Sequence, residues 1–301
     1  MTTATTAALP FVSVIMPHYQ DLGGLEIGLA ALDAQTYPKD RFEIVIGDNN
    51  SPAGLAAVEA VVRGRARIVV ITEKGAGPAR NGAVAASRGD VLAFIDSDCV
   101  AEPQWLEEGV KALDRFDLVG GRVRVLVSDP ERMTPAEAFE RVFAFDFKTY
   151  IEKKGFTGAG NMFCRRPLFD RVGAFGVGLS EDVDWSRRAV ATGARLGYVP
   201  AAAIGHPARV TWEQLSGKWR RINAETFGLM AGQRSQRSRW LVRNLLMPLS
   251  AVAHTPKVLT SPELNTVGQR LSAIGMLYRL RLWRLWDALT LLRATRAAER
   301  P

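Results

Sequence analysis

The chain reads as an α/β protein, a doubly wound and mostly parallel sheet followed by a helical C-terminal extension. Three observations predict this. The first is a β-α-β rhythm in the N-terminal part: short apolar runs alternate with stretches of helical spacing, joined by brief turns. The second is the run Val91-Leu92-Ala93-Phe94-Ile95, which ends in Asp96-Ser97-Asp98. Five uninterrupted apolar residues describe a strand buried on both faces. The third is charge. Residues 216–301 hold 15 Lys and Arg against 4 Asp and Glu, whereas residues 1–215 hold 24 against 27. The net charge of +8 therefore comes from the C-terminal region.

The elements come in this order. Phe11 to Met16 is the first strand, stopped by Pro17, and Leu25 to Gln35 has helical spacing. Phe42 to Gly47 is the second strand, after which Pro52 opens a helix at a favourable first-turn position. Arg67 to Ile71 is the third, Gly77-Pro78 starts a helix that ends near Gly89, and Glu102-Pro103 opens the helix after Val91 to Ile95. Beyond Gly121 the rhythm changes. Arg122 to Val127 alternates like a half-buried strand, and Thr134 to Tyr150 reads as one amphipathic helix with Phe139, Val142, Phe143 and Phe147 on a face. A glycine-rich loop, Gly155 to Cys164, leads into a strand. A helix spans Asp182 to Thr192 and a short strand Arg195 to Val199. From Trp212 only helices are expected, with a loop at Gly232 to Ser238 and breaks at Pro248 and Pro256. The expected organisation is a domain over 10–215, with halves of about 10–120 and 121–215, and a basic helical region over 216–301.

Composition narrows the class. A 47% apolar share is ordinary for a globular chain. Two cysteines argue against a disulfide framework and fit a reducing compartment. The Thr/Ala-rich stretch Met1 to Pro10 lacks the basic and apolar parts of a secretory signal, and no apolar run is long enough to span a bilayer. A cytoplasmic protein, peripheral on the inner face of the cytoplasmic membrane, is the expectation.

Ligands bind open α/β sheets at the carboxyl ends of the strands. Asp96 and Asp98 lie at such an end, and one or two carboxylates with substrate phosphates hold Mg²⁺ or Mn²⁺. A nucleotide-activated substrate is thus implied. Asp48 closes the second strand at the same edge, as a ligand contact or as a cap for the next helix. Tyr19, after Pro17-His18, offers a ring for a base or simply covers the edge. Gly75-Ala76-Gly77-Pro78-Ala79-Arg80 imitates a dinucleotide fingerprint but comes after the third strand and carries Arg80 where a third glycine belongs, which lowers the dehydrogenase reading. Arg80 instead brings a planar cation to the edge, for phosphate or for an Asp. Gly158, Gly160 and Asn161 form a loop whose backbone can approach a ligand. Glu181 and Asp182 open a helix, where carboxylates suit the dipole; a carboxylate there can also take a proton from an acceptor hydroxyl. His206 is one of three histidines and a good Mn²⁺ ligand when neutral.

Taken in order, Val12 to Tyr19, Ile46 to Ser51, Gly77 to Asn81, Gly89 to Asp98, Gly158 to Arg166, Gly173 to Phe175, Ser180 to Asp184 and His206 resemble the family 2 glycosyltransferases with the GT-A nucleotide-sugar fold. The resemblance covers about residues 11–230. It implies that Pro17, Tyr19, Asp48, Arg80, Asp96 and Ser97 bind the donor, that Asp98 and His206 hold Mn²⁺ or Mg²⁺, that Gly158, Asn161 and Glu181 border the acceptor, and that Asp182 is the catalytic base. Gln20 and Asn49 depart from the family's commoner Asn and Asp. The Gln-x-x-Arg-Trp motif of processive synthases is absent; Leu215-Ser216-Gly217-Lys218-Trp219-Arg220-Arg221 occupies its region. The implied activity is inverting transfer of one sugar from a nucleotide-diphosphate sugar to a glycan or lipid-linked acceptor, in envelope or exopolysaccharide synthesis.

Two other classes remain open. A nucleotidyltransferase of related fold needs a basic glycine-rich loop after the first strand, and His18-Tyr19-Gln20-Asp21 is not one. A non-catalytic membrane or nucleic-acid binding module would rest on the basic tail. No nucleic-acid partner is expected, since the tail lacks aromatic platforms and residues 1–215 are acidic. The mixture of Trp, Leu and Arg from Ile274 to Arg293 has the composition of an interfacial helix and points to an anionic membrane; packing against the protein or a second copy is the alternative.

Overall fold

In the computed structural model the described residues are 9–178, 180–228, 230 and 235–298. The strands are β1 (Val12–His18), β2 (Phe42–Asp48), β3 (Arg67–Val70), β4 (Val91–Ile95), β5 (Val100–Ala101), β6 (Leu118–Leu126), β7 (Asn161–Arg165) and β8 (Leu196–Pro207). The helices are α1 (Leu22–Asp33), α2 (Leu55–Val62), α3 (Ala76–Ala86), α4 (Trp105–Ala112), α5 (Pro135–Phe143), α6 (Phe147–Lys154), α7 (Arg166–Val172) and α8 (Glu181–Ala191). They continue with α9 (Trp212–Gly228), α10 (Gln236–Leu245), α11 (Met247–Leu259) and α12 (Val267–Ala298).

The sheet order is β3-β2-β1-β4-β7-β6-β8-β5. β3, β2, β1 and β4 are parallel, so Asp48 and the residues after Ile95 emerge at one edge. β7 runs antiparallel to β4 and β6 to β7, which makes the sheet mixed. Both faces of the parallel part are covered, and Val12, Ile15, Ile46, Leu92 and Phe94 are fully buried.

Contacts divide the chain into two compact units. The first runs to Arg124 and resumes over Phe145–His206; the second takes Val125–Ala144 and everything from Pro207. α5 thus joins the C-terminal helices. Phe139, Leu215, Val258, Leu277 and Leu280 form the core of the second unit.

Several sequence expectations change. The helix read over Thr134 to Tyr150 is two helices. A capping box closes α5 at its start, with Thr134 Oγ1 accepting from Glu137 N–H at 3.2 Å and Glu137 Oε2 from Thr134 N–H at 2.8 Å. The chain then breaks at Phe145 (φ 57°), and Asp146 caps α6 by accepting from Thr149 N–H at 3.2 Å. A new cap outweighs continued apolar spacing. Pro52 opens no helix; it sits in a turn, and α2 begins after Gly54 (φ 82°). Pro17 does not stop β1, because β1 pairs with β4 only through Ile15, leaving one side of Pro17 without a ladder that needs its N–H. Pro256 lies inside α11. Pro248 sits in its first turn, where a missing N–H costs nothing. Of the loop expected at Gly232 to Ser238, residues 232–234 lie outside the described residues, and α10 already begins at Gln236. The short strand expected at Arg195 to Val199 extends through His206.

Candidate active site

At the carboxyl edge of β1 and β2 the register sets His18 opposite Asp48. His18 Nδ1 lies 2.8 Å from Asp48 Oδ1. Ser51 Oγ donates to the same oxygen at 2.6 Å and Ser51 N–H to Oδ2 at 3.0 Å. Burial raises the Asp48 carboxyl, but the hydrogen bonds from Ser51 and the His18 contact outweigh it and hold it below the ordinary range. Both oxygens are therefore engaged within the protein, holding the turn after β2 rather than capping α2, whose N-cap is Gly54. Ser51 Oγ also accepts from Gln20 N–H at 3.0 Å, fixing the turn that carries Tyr19. Tyr19 is exposed and Pro17 half-buried, so these two lie open at the edge. Asn49 ties the next loop down by donating to Ile71 and Glu73 carbonyls and accepting from Gly75 N–H.

Arg80, on α3, is buried and forms a clamp. Nη2 donates to Asp96 Oδ1 and Nη1 to Glu181 Oε1, each at 2.7 Å. Burial lowers the Arg80 pKa, yet Asp96, Glu181 and Asp182 raise it further, so the cation is secure. Burial likewise pushes Glu181 up, more than Arg80 pulls it down. Arg80 thus joins the end of β4 to the start of α8. Glu181, expected at the acceptor, is spent on this clamp and is only 15% exposed. Ser97 is buried between the two aspartates of its motif.

The two-residue strand β5 pairs antiparallel with β8, Val100 opposite Gly205 and Ala101 opposite Ile204. This pairing carries His206 to Asp98, with Nε2 and Oδ2 3.5 Å apart. Cys99 Sγ is 3.8 Å from Asp98 Oδ1, and one ligand atom from each of Asp98, Cys99 and His206 lies within 4.8 Å of the others. Burial raises the Asp98 carboxyl more than His206 lowers it, and Asp96 adds to the rise. Burial also holds the Cys99 thiol well above its ordinary value, so it stays protonated. One carboxylate and one imidazole, with Asp96 near, fit Mn²⁺ better than Mg²⁺, which prefers an all-oxygen shell.

A cavity of about 240 Å³ opens beside this cluster. Phe145, Phe147, Tyr150 and Phe156 line it with Val123 and Ile204, and its polar lining includes Asp96, Asp182 and His206. Asp182 Oδ1 accepts from Val183 N–H at 2.8 Å and Oδ2 from Ala159 N–H at 3.3 Å. The glycines explain the close approach. A Cβ on Gly158 would lie 3.3 Å from Asp182 Oδ2, and one on Gly160 would lie 2.7 Å from Asp96 Oδ2. Asn161 departs from the acceptor-side expectation: it is wholly buried and does not line the cavity. Its Oδ1 accepts from Trp105 Nε1 at 2.9 Å, and Nδ2 donates to Arg122 and Ala202 carbonyls.

Asp96, Asp182, His206 and Gly158, all candidates from the sequence, line one cavity. The aromatic wall was not foreseen. Helical spacing runs Phe147 and Tyr150 into one long helix, and nothing in the local pattern marks Phe145 as the break. Cys99 had a signal in its adjacency to Asp98, without a partner that spacing could reveal.

A mixed sheet of this topology with carboxylates and a histidine around one cleft is the arrangement expected of a glycosyltransferase. Residues 13–175 match the family described as Glycosyl transferase family 2. Glycosyltransferase AglE of Haloferax volcanii is 34% identical over 223 residues, covering 71% of this chain and 73% of that protein. Succinoglycan biosynthesis protein ExoW of Rhizobium meliloti is 36% identical over 118 residues, about a third of each (35% and 35%). Among solved structures, the mannosyltransferase PcManGT from Pyrobaculum calidifontis, in complex with GDP-Man and Mn²⁺, superposes with a TM-score of 0.56 at 19% identity, covering 98% of this chain and 77% of that one. The chain belongs to glycosyl transferase family 2 and has the GT-A fold.

Proposed function

We propose that the chain transfers one sugar, with inversion, from a nucleotide-diphosphate sugar to a glycan or lipid-linked hydroxyl acceptor. The observation that carries this is that Asp182 and His206 line one cavity while Asp98 stands 3.5 Å from His206. A base for the acceptor and a cation site for the departing diphosphate thus share one space.

Asp98 and His206 would hold Mn²⁺, which neutralises charge on the leaving diphosphate. Asp182, steadied by two backbone N–H groups, takes the proton from the acceptor hydroxyl as that oxygen attacks the anomeric carbon from the face opposite the diphosphate. Arg80 keeps Asp96 and Glu181 in place by its paired bonds. Tyr19 and Pro17 offer a surface for the base, and Asp48 supports that surface through Ser51. The aromatic wall excludes water and packs against the apolar face of a sugar ring or the first carbons of a lipid carrier. The name of ExoW, a succinoglycan biosynthesis protein, supports a place in polysaccharide assembly.

A transfer assay over a panel of nucleotide sugars with Mn²⁺ tests this reading. Asp182→Asn should bind donor about as well as the native chain and transfer at least about 10²-fold more slowly. Asp184→Asn should stay near native, because Asp184 is exposed and paired with Arg188 at 2.9 Å. The reverse pattern would discard Asp182 as the base.

A further inference from the structure

α12 carries apolar side chains on two sides: Met276, Leu277 and Leu280 are buried in the core of the second unit, and a further row is exposed. Leu271, Tyr278, Leu282 and Trp286 recur on one face at helical spacing and are exposed, Leu282 by 55% and Trp286 by 57%. The opposite face of its C-terminal half buries charge. Arg284 is 4% exposed, stacks 4.0 Å over Trp219 and donates to Asn223 Oδ1, whereas Asp287 accepts from Asn223 Nδ2 at 2.9 Å. Surface helices ordinarily turn the apolar stripe inward.

A second apolar row lies on the neighbouring helices. Val242, Leu245, Leu249 and Val252 are all exposed, Leu249 by 65%, and their spacing sets them on one side of α10 and α11. Hydrogen bonds from Leu246 N–H to Val242 and from Ser250 N–H to Leu246 carry helical geometry through the junction. Thr255 Oγ1 donates to Tyr278 Oη at 3.4 Å and Arg281 Nη1 points to Met247 Sδ at 3.7 Å, so α11 and α12 run side by side. Of the 20 large apolar side chains exposed among the described residues, 12 fall within residues 241–286. Scattered single exposures are ordinary; this concentration is not.

The charge around the rows selects the occupant. Residues 235–293 contain nine Lys and Arg against two acids. Those acids are Asp287, which is buried, and Glu263, which pairs with Arg141 at 2.6 Å. Arg239, Arg243, Lys257, Arg279 and Arg293 are exposed. A second copy would meet this surface with the same sign of charge, whereas an anionic leaflet supplies the opposite sign along with an apolar interior. Among the described residues no helix is long and apolar enough to cross a membrane.

We propose that the α10–α11–α12 face lies on an anionic bilayer, with Leu249, Val252, Leu282 and Trp286 at the boundary between headgroups and acyl chains and the flanking cations on lipid phosphates. The inference stands on the second unit alone and survives a failure of the transfer reading.

Flotation of the full chain with phosphatidylcholine vesicles, with and without phosphatidylglycerol, tests it. Anionic vesicles should bind at least about tenfold more tightly, since each cation near the leaflet contributes about fivefold. Raising salt from about 0.1 M to about 1 M should release much of the protein. Leu249→Glu combined with Trp286→Ser should lose binding with unchanged melting, and Ile27→Glu, an exposed site on α1, should not. A blue shift of tryptophan emission on anionic vesicles should shrink in Trp286→Phe, which keeps the proposal testable if the double variant unfolds. Equal binding to neutral vesicles, native binding by the double variant, or a stable dimer by light scattering that the double variant abolishes would each overturn it.

Discussion

Asp48 illustrates how a carboxylate acts when its oxygens are already taken. Ser51 donates to both of them and His18 Nδ1 lies against one, so the group is worth most while ionised. Its folded pKa lies below the ordinary 3.8. A depressed carboxylate contributes stability that is fully present above its unfolded pKa and is lost as pH falls through the folded value. Asp48→Asn should therefore melt below the native chain at pH 7, with the gap closing below about pH 4. A gap independent of pH in melting curves would show that shape rather than charge is what Asp48 supplies. Arg80 and Asn161 teach a related lesson. Each looks like a ligand contact by residue type, and each is occupied by its own protein: Arg80 by two carboxylates, Asn161 by Trp105 and two carbonyls.

At the scale of elements, short pieces do the positioning. β5 is two residues long, yet its pairing with β8 is what brings His206 to Asp98. The break after α5 assigns Phe139 and Val142 to the core of the second unit and frees Phe145 and Phe147 for the cavity. α5 is also pinned by charge. Glu140, 1% exposed, accepts from Lys218 Nζ at 3.0 Å, from Arg209 Nη1 at 3.0 Å and from Arg209 N–H at 2.9 Å. By charge alone Lys218, Arg220 and Arg221 would suit a diphosphate. They are instead paired with Glu140, Asp287 and Glu225. Removing one partner of a buried pair strands the other, so Glu140→Gln should cost about 3 kcal/mol in denaturant unfolding. Adding Lys218→Met should recover part of that loss, and simple additivity of the two changes would deny the coupling.

For the whole molecule, binding and stability are linked. A ligand that binds only the folded chain stabilises it by about 2.7 kcal/mol at a hundred times its dissociation constant. Nucleotide-diphosphate sugar with Mn²⁺ should therefore raise the melting temperature by several degrees, and a chelator should remove most of the rise. Asp98→Ala should melt near the native temperature without ligand and lose the rise with it. A full shift in that variant would move the cation away from Asp98.

The local pattern of the chain was enough to determine the α/β class, the apolar strands of the parallel half and the family, because each rests on short-range regularities. An uninterrupted apolar run before Asp96 marks a buried strand, and glycines, prolines and carboxylates at fixed offsets mark its turns. It also determined that Asp96, Asp98, Asp182 and His206 are chemically apt. Tertiary structure alone decided what each of them meets. His206 stands 108 residues after Asp98 and reaches it through a two-residue ladder; no periodicity encodes that distance. Arg80 finds Glu181 across 101 residues, which only the packing of α3 against α8 can arrange. The same limit governs α12. Its Trp, Leu and Arg content signals an apolar stripe, but the sequence could not say which way the stripe faces. The pairing of Arg284 and Asp287 with Asn223 turns those charges inward and leaves Leu282 and Trp286 outside. Composition sets which side chains a helix carries, and long-range contacts set which of them meets water.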